Sequence, residues 1–221
     1  MKTHILTLLI AGFTVMAGYA QETDRPADGM KTIFGEGEIS HGFYGGITLN
    51  YSQIGGEDAL LPGMRAAWLI NHRLGIGLAG YGFFNDMSFE GSDYKEDYID
   101  YHLAGGYGGL LIEPIVEPMS PLHVSFPVII GAGGIARVKE YGWDYYEEHD
   151  DDDNRIYRYR EDAHAYFVVE PGVEMELNLI RYMRLALGVS YRFTSDVVLE
   201  NTSKTALHGL SGGVTLKFGK F

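Results

Sequence analysis

The chain has 221 residues, no cysteine, 30 acidic against 17 basic side chains and a formal net charge of −13. The lack of thiols excludes disulfide bracing and thiolate metal sites, and the acidic balance argues against nucleic acid as a partner, because the phosphate backbone would be repelled. Thirty glycines, nearly twice the usual share of about 7%, occur without a matching excess of Pro or Ser. Gly mixed with Tyr and Phe suits curved barrel strands better than a linker.

Residues 1–20 read as a secretion signal. Lys2 supplies the positive start, Ile5 to Ala17 is an apolar stretch too short to span a membrane well, and Gly18-Tyr19-Ala20 is a small-x-small cleavage site. Cleavage after Ala20 leaves Gln21 first and removes Lys2 alone among the charges, so the mature chain carries 16 basic and 30 acidic residues, a formal −14. No cysteine stands near the site to carry a lipid anchor. Residues 21–40 are expected to form a short periplasmic lead, and residues 41–221 one domain.

After the signal, no run of 18 apolar residues occurs and helical periodicity is weak. Period-two alternation is frequent instead. Phe43 to Ser52 sets Phe43, Ile47, Leu49 and Tyr51 against Tyr44, Thr48, Asn50 and Ser52. Gly63 to Ile70 sets Met64, Trp68 and Ile70 against Arg65 and Ala67, and Leu74 to Phe84 sets Leu74, Ile76 and Leu78 against Gly75, Gly77, Ala79 and Tyr81. Tyr98 to Ile112 puts Ile99, Tyr101, Leu103, Tyr107 and Leu111 on the apolar, outward face, opposite Asp100, His102 and small residues. Leu122 to Val138 alternates with Ile129 intruding on the polar side. Ala163 to Leu177 sets Phe167, Val169, Val173, Met175 and Leu177 against His164, Glu170, Glu174 and Glu176. Met183 to Phe193 is the most regular segment, and Ala206 to Phe218 is the last, with Ser211, Thr215 and Lys217 on its polar side. Its strand is expected to end at Phe218, with Gly219-Lys220-Phe221 appended.

These are eight segments. Asn71-His72-Arg73, Glu113 to Pro121 and Asn178 to Tyr182 read as short turns, whereas Asn85 to Asp97, Lys139 to Asp162 and Ser195 to Thr205 are longer and polar. Gln53 to Asp58 is short where a long connection is expected. Short inner turns and longer outer loops are the pattern of outer-membrane barrels. An eight-stranded antiparallel transmembrane up-and-down β-barrel is therefore the expected fold. Ten strands, or a soluble lipocalin-like barrel with its apolar residues inside, are the alternatives.

The pattern resembles the small eight-stranded outer-membrane barrels of the outer membrane protein A and X type over essentially the whole mature chain. Phe34-Gly35-Glu36-Gly37-Glu38-Ile39-Ser40-His41-Gly42, Trp68-Leu69-Ile70-Asn71-His72-Arg73 and Gly80-Tyr81-Gly82 look more specifically like an uncharacterised barrel family common in Bacteroidetes. The resemblance implies an outer-membrane location in a Gram-negative cell, contact with lipid and lipopolysaccharide, and passage through the barrel assembly machinery. It carries over no catalytic residues.

Three groups of residues are candidates for function. From Asp144 to Asp153 seven of ten residues are acidic, flanked by Tyr141, Trp143, Tyr145, Tyr146, Tyr157 and Tyr159 and by Arg155, Arg158 and Arg160. The segment 139–162 reads as a hairpin above the membrane, either a surface that binds a partner or Ca²⁺ or a solvated charged loop; it lacks the spaced ligands and turn glycine of an EF-hand. Inside, Arg65, Arg137, Arg184 and Arg192 oppose Asp100, Glu170, Glu174 and Glu176, and Glu176 is expected opposite Arg184. Eight strands leave an interior just filled by side chains, so these charges read as a salt-bridged plug rather than an ion path. His123 and Ser125, two apart on one strand, resemble a lipid-deacylase pair, yet they point inward and the sequence offers no third partner. His72, His102, His164 and His208 lack metal-ligand spacing. The expectation is a non-enzymatic barrel with a structural or surface-binding role, with no catalytic, cofactor or metal residues. A small pore is the alternative, and a lipid-modifying enzyme the third reading.

Overall fold

The computed structural model describes residues 39–84, 100–140, 159–198 and 203–221. The expected signal and lead up to residue 38, and the body of the acidic segment, 141–158, lie outside the described residues. Among those described there is no helix; nine strands form a single antiparallel sheet. They are β1 (His41–Ile54), β2 (Glu57–Ile70), β3 (Leu74–Phe84), β4 (Asp100–Val116), β5 (Leu122–Ser125), β6 (Val128–Glu140), β7 (Tyr159–Ile180), β8 (Met183–Thr194) and β9 (Gly209–Lys220). Apart from β5 and β6, strands that follow one another in the chain pair, and β9 returns to β1 from Phe43↔Lys220 to Ser52↔Ser211. That last pairing closes the sheet and leaves no free edge.

The ring has eight positions, because β5 and β6 share one. Both pair with β4 on one side and β7 on the other. The single strand expected over Leu122 to Val138 is divided at Phe126-Pro127, where proline has no N–H to give to the ladder. The wall stays stitched there by Phe126 N–H to Pro114 O (2.9 Å) and Gly172 N–H to Pro127 O (2.8 Å).

Turn chemistry explains the tight end connections. Gly55 and Gly56 take φ of 67° and 95°, so β1 and β2 run almost into each other and the connection expected over Gln53 to Asp58 shrinks to two residues. At the other end Asn71 and His72 take φ of 50° and 58°, the left-handed pair at the centre of a tight turn closed by Arg73 N–H to Ile70 O (3.1 Å) within the three-residue connection from β2 to β3. Asn71 Oδ1 accepts a hydrogen bond from Ser40 N–H (2.9 Å), and Ser40 Oγ lies 3.0 Å from His72 Nε2, so the turn clamps the start of β1.

Other boundaries differ from expectation. β4 runs on to Val116, which places Glu113 inside a strand rather than in a turn. β9 continues through Gly219 and Lys220, and Phe221 stacks on Tyr44 (6.0 Å between ring centres), so the terminus belongs to the barrel. Most distinctly, the two faces of β4 are exchanged. Leu103, Tyr107 and Leu111 are buried inside the ring, while Leu110 faces out beside Ala104, Gly106 and Gly108.

The distribution of side chains is inside-out relative to a water-soluble barrel. Phe167, Met64 and Leu78 are 75%, 69% and 67% exposed, and Leu187, Val189, Ile47 and Leu210 join them on the outer face. Lys217 and Arg192, by contrast, are 1% and 0% exposed within the ring. The lipocalin-like alternative predicts the reverse. The 12 residues of β8 rise roughly 40 Å along the strand, and the ~40° tilt usual in barrels brings that to about 30 Å, enough for an apolar band of about 25 Å. Replacing Leu187, at mid-strand on the outer face, with Arg is expected to lower folding stability in liposomes by about 2–4 kcal/mol, against about 0–1 kcal/mol for Ile180→Arg beside a turn. Guanidinium unfolding of both variants measures this, and equal small effects would contradict a lipid-facing wall.

Candidate functional site: the charged interior

Alternation sends every second residue of each strand inward, and in β7, β8 and β9 many of those residues are polar. Glu170, Glu174 and Glu176 project from β7, Arg184 and Arg192 from β8, and Ser211, Thr215 and Lys217 from β9; all are buried. β2 adds Arg65 and β4 adds Glu113 from the opposite wall. The sequence identifies Arg65, Arg184, Arg192, Glu170, Glu174 and Glu176 as interior charges, and all six are there. The side chains of Asp100, Arg137 and His102 lie outside the described residues.

The centre of the network is Lys217, which sequence reading leaves out of the charge set although it falls on the polar face of its strand. Its ammonium lies 2.6 Å from Glu113 Oε1, 2.7 Å from Glu176 Oε1 and 3.4 Å from Glu174 Oε2. Arg65 forks onto Glu174, NH1 to Oε2 at 3.2 Å and NH2 to Oε1 at 2.5 Å, and also donates to Thr215 Oγ1. Tyr44 donates to Glu113 Oε2 (2.5 Å). Glu113, Glu174 and Glu176 are grouped closely enough to hold a metal ion, but the Lys217 ammonium already lies against all three and supplies the positive charge.

Below this cluster, at the short-turn end, Arg184 NH1 stands 3.6 Å from Glu176 Oε2, and its guanidinium covers the Phe221 ring at 4.0 Å. The expected cross-strand register is off by two residues. Glu176 pairs with Ala186 and Arg184 with Asn178, because the turn lies at Arg181-Tyr182 rather than centring on Ile180, with a bulge between Asn178 and Ile180; the two charges meet diagonally. His123 Nε2 lies 3.3 Å from Glu176 Oε2 and its Nδ1 lies 3.2 Å from Ser120 O. The third partner that the sequence does not reveal for His123 is therefore Glu176, although His123 and Ser125 are both sealed in the interior.

Above the cluster the interior changes character. Tyr81 and Tyr107 stack at 5.3 Å, and Glu170 accepts hydrogen bonds from Tyr107 (2.5 Å) and Ser190 (2.6 Å). Arg192 donates Nε–H to Leu207 O (2.7 Å) and NH2 to Ser52 Oγ (3.3 Å). Over this layer Ile54, Leu61, Leu103, Ile135, Val168, Val197 and Leu207 are buried together. Two of them, Val197 and Leu207, come from the described parts of the connection between β8 and β9, residues 195–198 and 203–208, which lie over the mouth and are held there by Gly55 N–H to Ala206 O (2.8 Å), Val197 N–H to Lys204 O (3.0 Å) and His208 Nε2 to Thr194 O (2.9 Å). The interior expected to be polar throughout is thus an ion network under an apolar stopper. His72 sits in a turn, His164 on the inner face of β7 half-buried, and His208 at the mouth; among the described residues none of them belongs to a group of three or more side chains placed to hold a metal.

Glycine makes the network possible. Asn50, Gly213, Gly188 and Glu174 form one row across β1, β9, β8 and β7. A Cβ on Gly188 would meet Glu174 Cγ at 2.6 Å, and one on Gly213 would meet Asn50 Oδ1 at 2.1 Å. These bare positions let Glu174 lie inward toward Arg65 and Lys217.

No protein family profile and no curated protein matches the chain. Among solved structures it is similar to Neisserial surface protein A (13% identity, TM-score 0.48, covering 84% of this chain and 100% of that one). It is also similar to Ail, the attachment invasion locus protein of Yersinia pestis (10%, 0.44, 82% and 97%), and to the N-terminal β-barrel domain of OprF from Pseudomonas aeruginosa (9%, 0.42, 80% and 96%).

Gly188→Ala is expected to push Glu174 off Arg65 and cost about 1–3 kcal/mol. Gly212→Ala, on the outer face with its nearest atom at 3.9 Å, is expected to stay within about 0.5 kcal/mol of the parent. Unfolding midpoints in micelles measure both.

Proposed function

We propose that the chain is a non-enzymatic integral protein of a Gram-negative outer membrane, exported by the signal at residues 1–20 and acting at the cell surface rather than as a conduit. One observation carries this reading: the ring is apolar outside and closed inside. Lipid is the environment that favours Phe167, Met64 and Leu78 on the surface. A continuous water path is opposed at three levels, by Phe221 and Arg184 at the short-turn end, by the Lys217 cluster, and by Val197 and Leu207 at the mouth. Transport would need all three to move together. Nor does His123–Ser125 favour catalysis, since a lipid ester outside the wall has no access to side chains buried within it.

With the lumen filled, recognition falls to the connections at the end opposite the short turns. Among these, residues 139–162 carry the chemistry suited to a partner: aromatic side chains around an acidic run, with arginines following. Tyr and Trp are the side chains that anchor protein surfaces, and carboxylates bridge to lipopolysaccharide phosphates through Ca²⁺.

Two measurements test the reading. Purified protein in planar bilayers is expected to give no steady conductance, and open channels at low voltage would contradict it. Deletion of residues 144–159 is expected to leave a folded, heat-modifiable barrel in the outer membrane while abolishing binding to its surface partner or weakening the Ca²⁺-dependent lipopolysaccharide barrier; an unchanged cell surface would overturn the role given to this segment.

A further inference from the structure

Between the Lys217 cluster and the Tyr107 layer the interior contains a cavity of about 30 Å³. Its position follows from the sequence, because Gly172, Gly188 and Gly213 all reach the lining with no side chain to fill it. Arg65, Glu174 and Thr215 line its lower side, and Glu170, Ser190 and Ser211 its upper side. Two of these residues, Arg65 and Ser211, are 5% and 2% exposed. Each presents a buried polar atom, Arg65 Nε and Ser211 Oγ, that has no hydrogen-bond partner among the described residues. Buried polar atoms without partners are rare and call for a bound group.

Charge decides what that group is. Among the described residues within the ring, Glu113, Glu170, Glu174 and Glu176 are matched by Arg65, Arg184, Arg192 and Lys217, while His123 lies at the far end and does not line the cavity. A cation or an anion would unbalance this set in a low-dielectric interior. A neutral ligand that accepts from Arg65 Nε–H and exchanges a hydrogen bond with Ser211 would not. At about 10–15 Å³ per molecule, the volume suits about two waters.

We propose that this cavity is a built site for a pair of ordered waters joining Arg65 and Ser211. Through them the ion network around Lys217 and the Glu170–Ser190–Tyr107 layer form one hydrogen-bonded stack along the barrel axis. The proposal is independent of the surface role, since it concerns the lumen alone.

The test is a high-resolution crystal structure of the mature chain from detergent, with anomalous data from crystals soaked in rubidium bromide. Non-anomalous density at hydrogen-bond distance from Arg65 Nε and Ser211 Oγ supports the proposal. An empty cavity, or an anomalous peak marking Rb⁺ or Br⁻, overturns it. In solution, water-nuclear magnetic relaxation dispersion is expected to count about two fewer long-lived internal waters in Ser211→Val than in the parent protein. An unchanged count in a folded variant also overturns it, and the crystal test stands should that variant not fold.

Discussion

The Lys217 ammonium, placed among Glu113, Glu174 and Glu176, is the contact on which the interior depends. It ties β9 to β4 and β7 across the lumen. Arg65 adds β2, Arg184 adds β8, Tyr44 adds β1 and His123 adds β5, so seven of the eight ring positions meet at one cluster. Backbone hydrogen bonds between neighbours close the wall, as a membrane demands of any spanning sheet, but they do not by themselves choose a register. The charges do. A slip of one residue in β9 would turn Lys217 toward lipid and Leu216 or Phe218 inward. Desolvating these ions is costly, and their mutual attraction offsets that cost only in the paired arrangement.

The two ends are finished by different physics. At the short-turn end, Phe221 brings an apolar ring beneath Arg184 and Tyr44, which makes the chain terminus part of the floor. At the other end, the connection between β8 and β9 lays Val197 and Leu207 over the mouth, and Arg192 holds it by the carbonyl of Leu207. The hydrophobic effect seals the top and ion pairing fills the middle. What remains for recognition is the outside: a lipid-facing wall and the connections above it.

Much of this was legible from alternation. The outer and inner faces of β1, β7, β8 and β9 read correctly because each sets large apolar residues against polar ones, a contrast that survives without knowing the neighbours. β4 misled because it has no such contrast. Its inner face carries Leu103, Tyr107 and Leu111 and its outer face Ala104, Gly106 and Gly108, so the greasier face pointed inward. Glu113 was hidden by Pro114, Pro118 and Pro121, which read as a turn although the strand continues to Val116. The partnership of Lys217 with Glu113 spans 104 residues, a separation no local pattern encodes. The expected facing of Glu176 and Arg184 takes the turn to centre on Ile180, whereas the turn lies at Arg181-Tyr182, with a bulge after Asn178. Gly188 and Gly213 read only as small; that they make room for Glu174 and Asn50 needs the cross-strand row.

Lys217 and Glu113 hold the interior as a coupled pair. A double-mutant cycle with Lys217→Met and Glu113→Gln, read by guanidinium unfolding in liposomes, measures that coupling directly. Each single variant removes one member of the buried charge set and leaves it unbalanced, and is predicted to cost about 3–5 kcal/mol. The double variant is predicted to cost much less than their sum, with a coupling energy of about 2 kcal/mol or more. Additivity within about 0.5 kcal/mol would show that the two residues act independently, and would contradict an interior organised around Lys217.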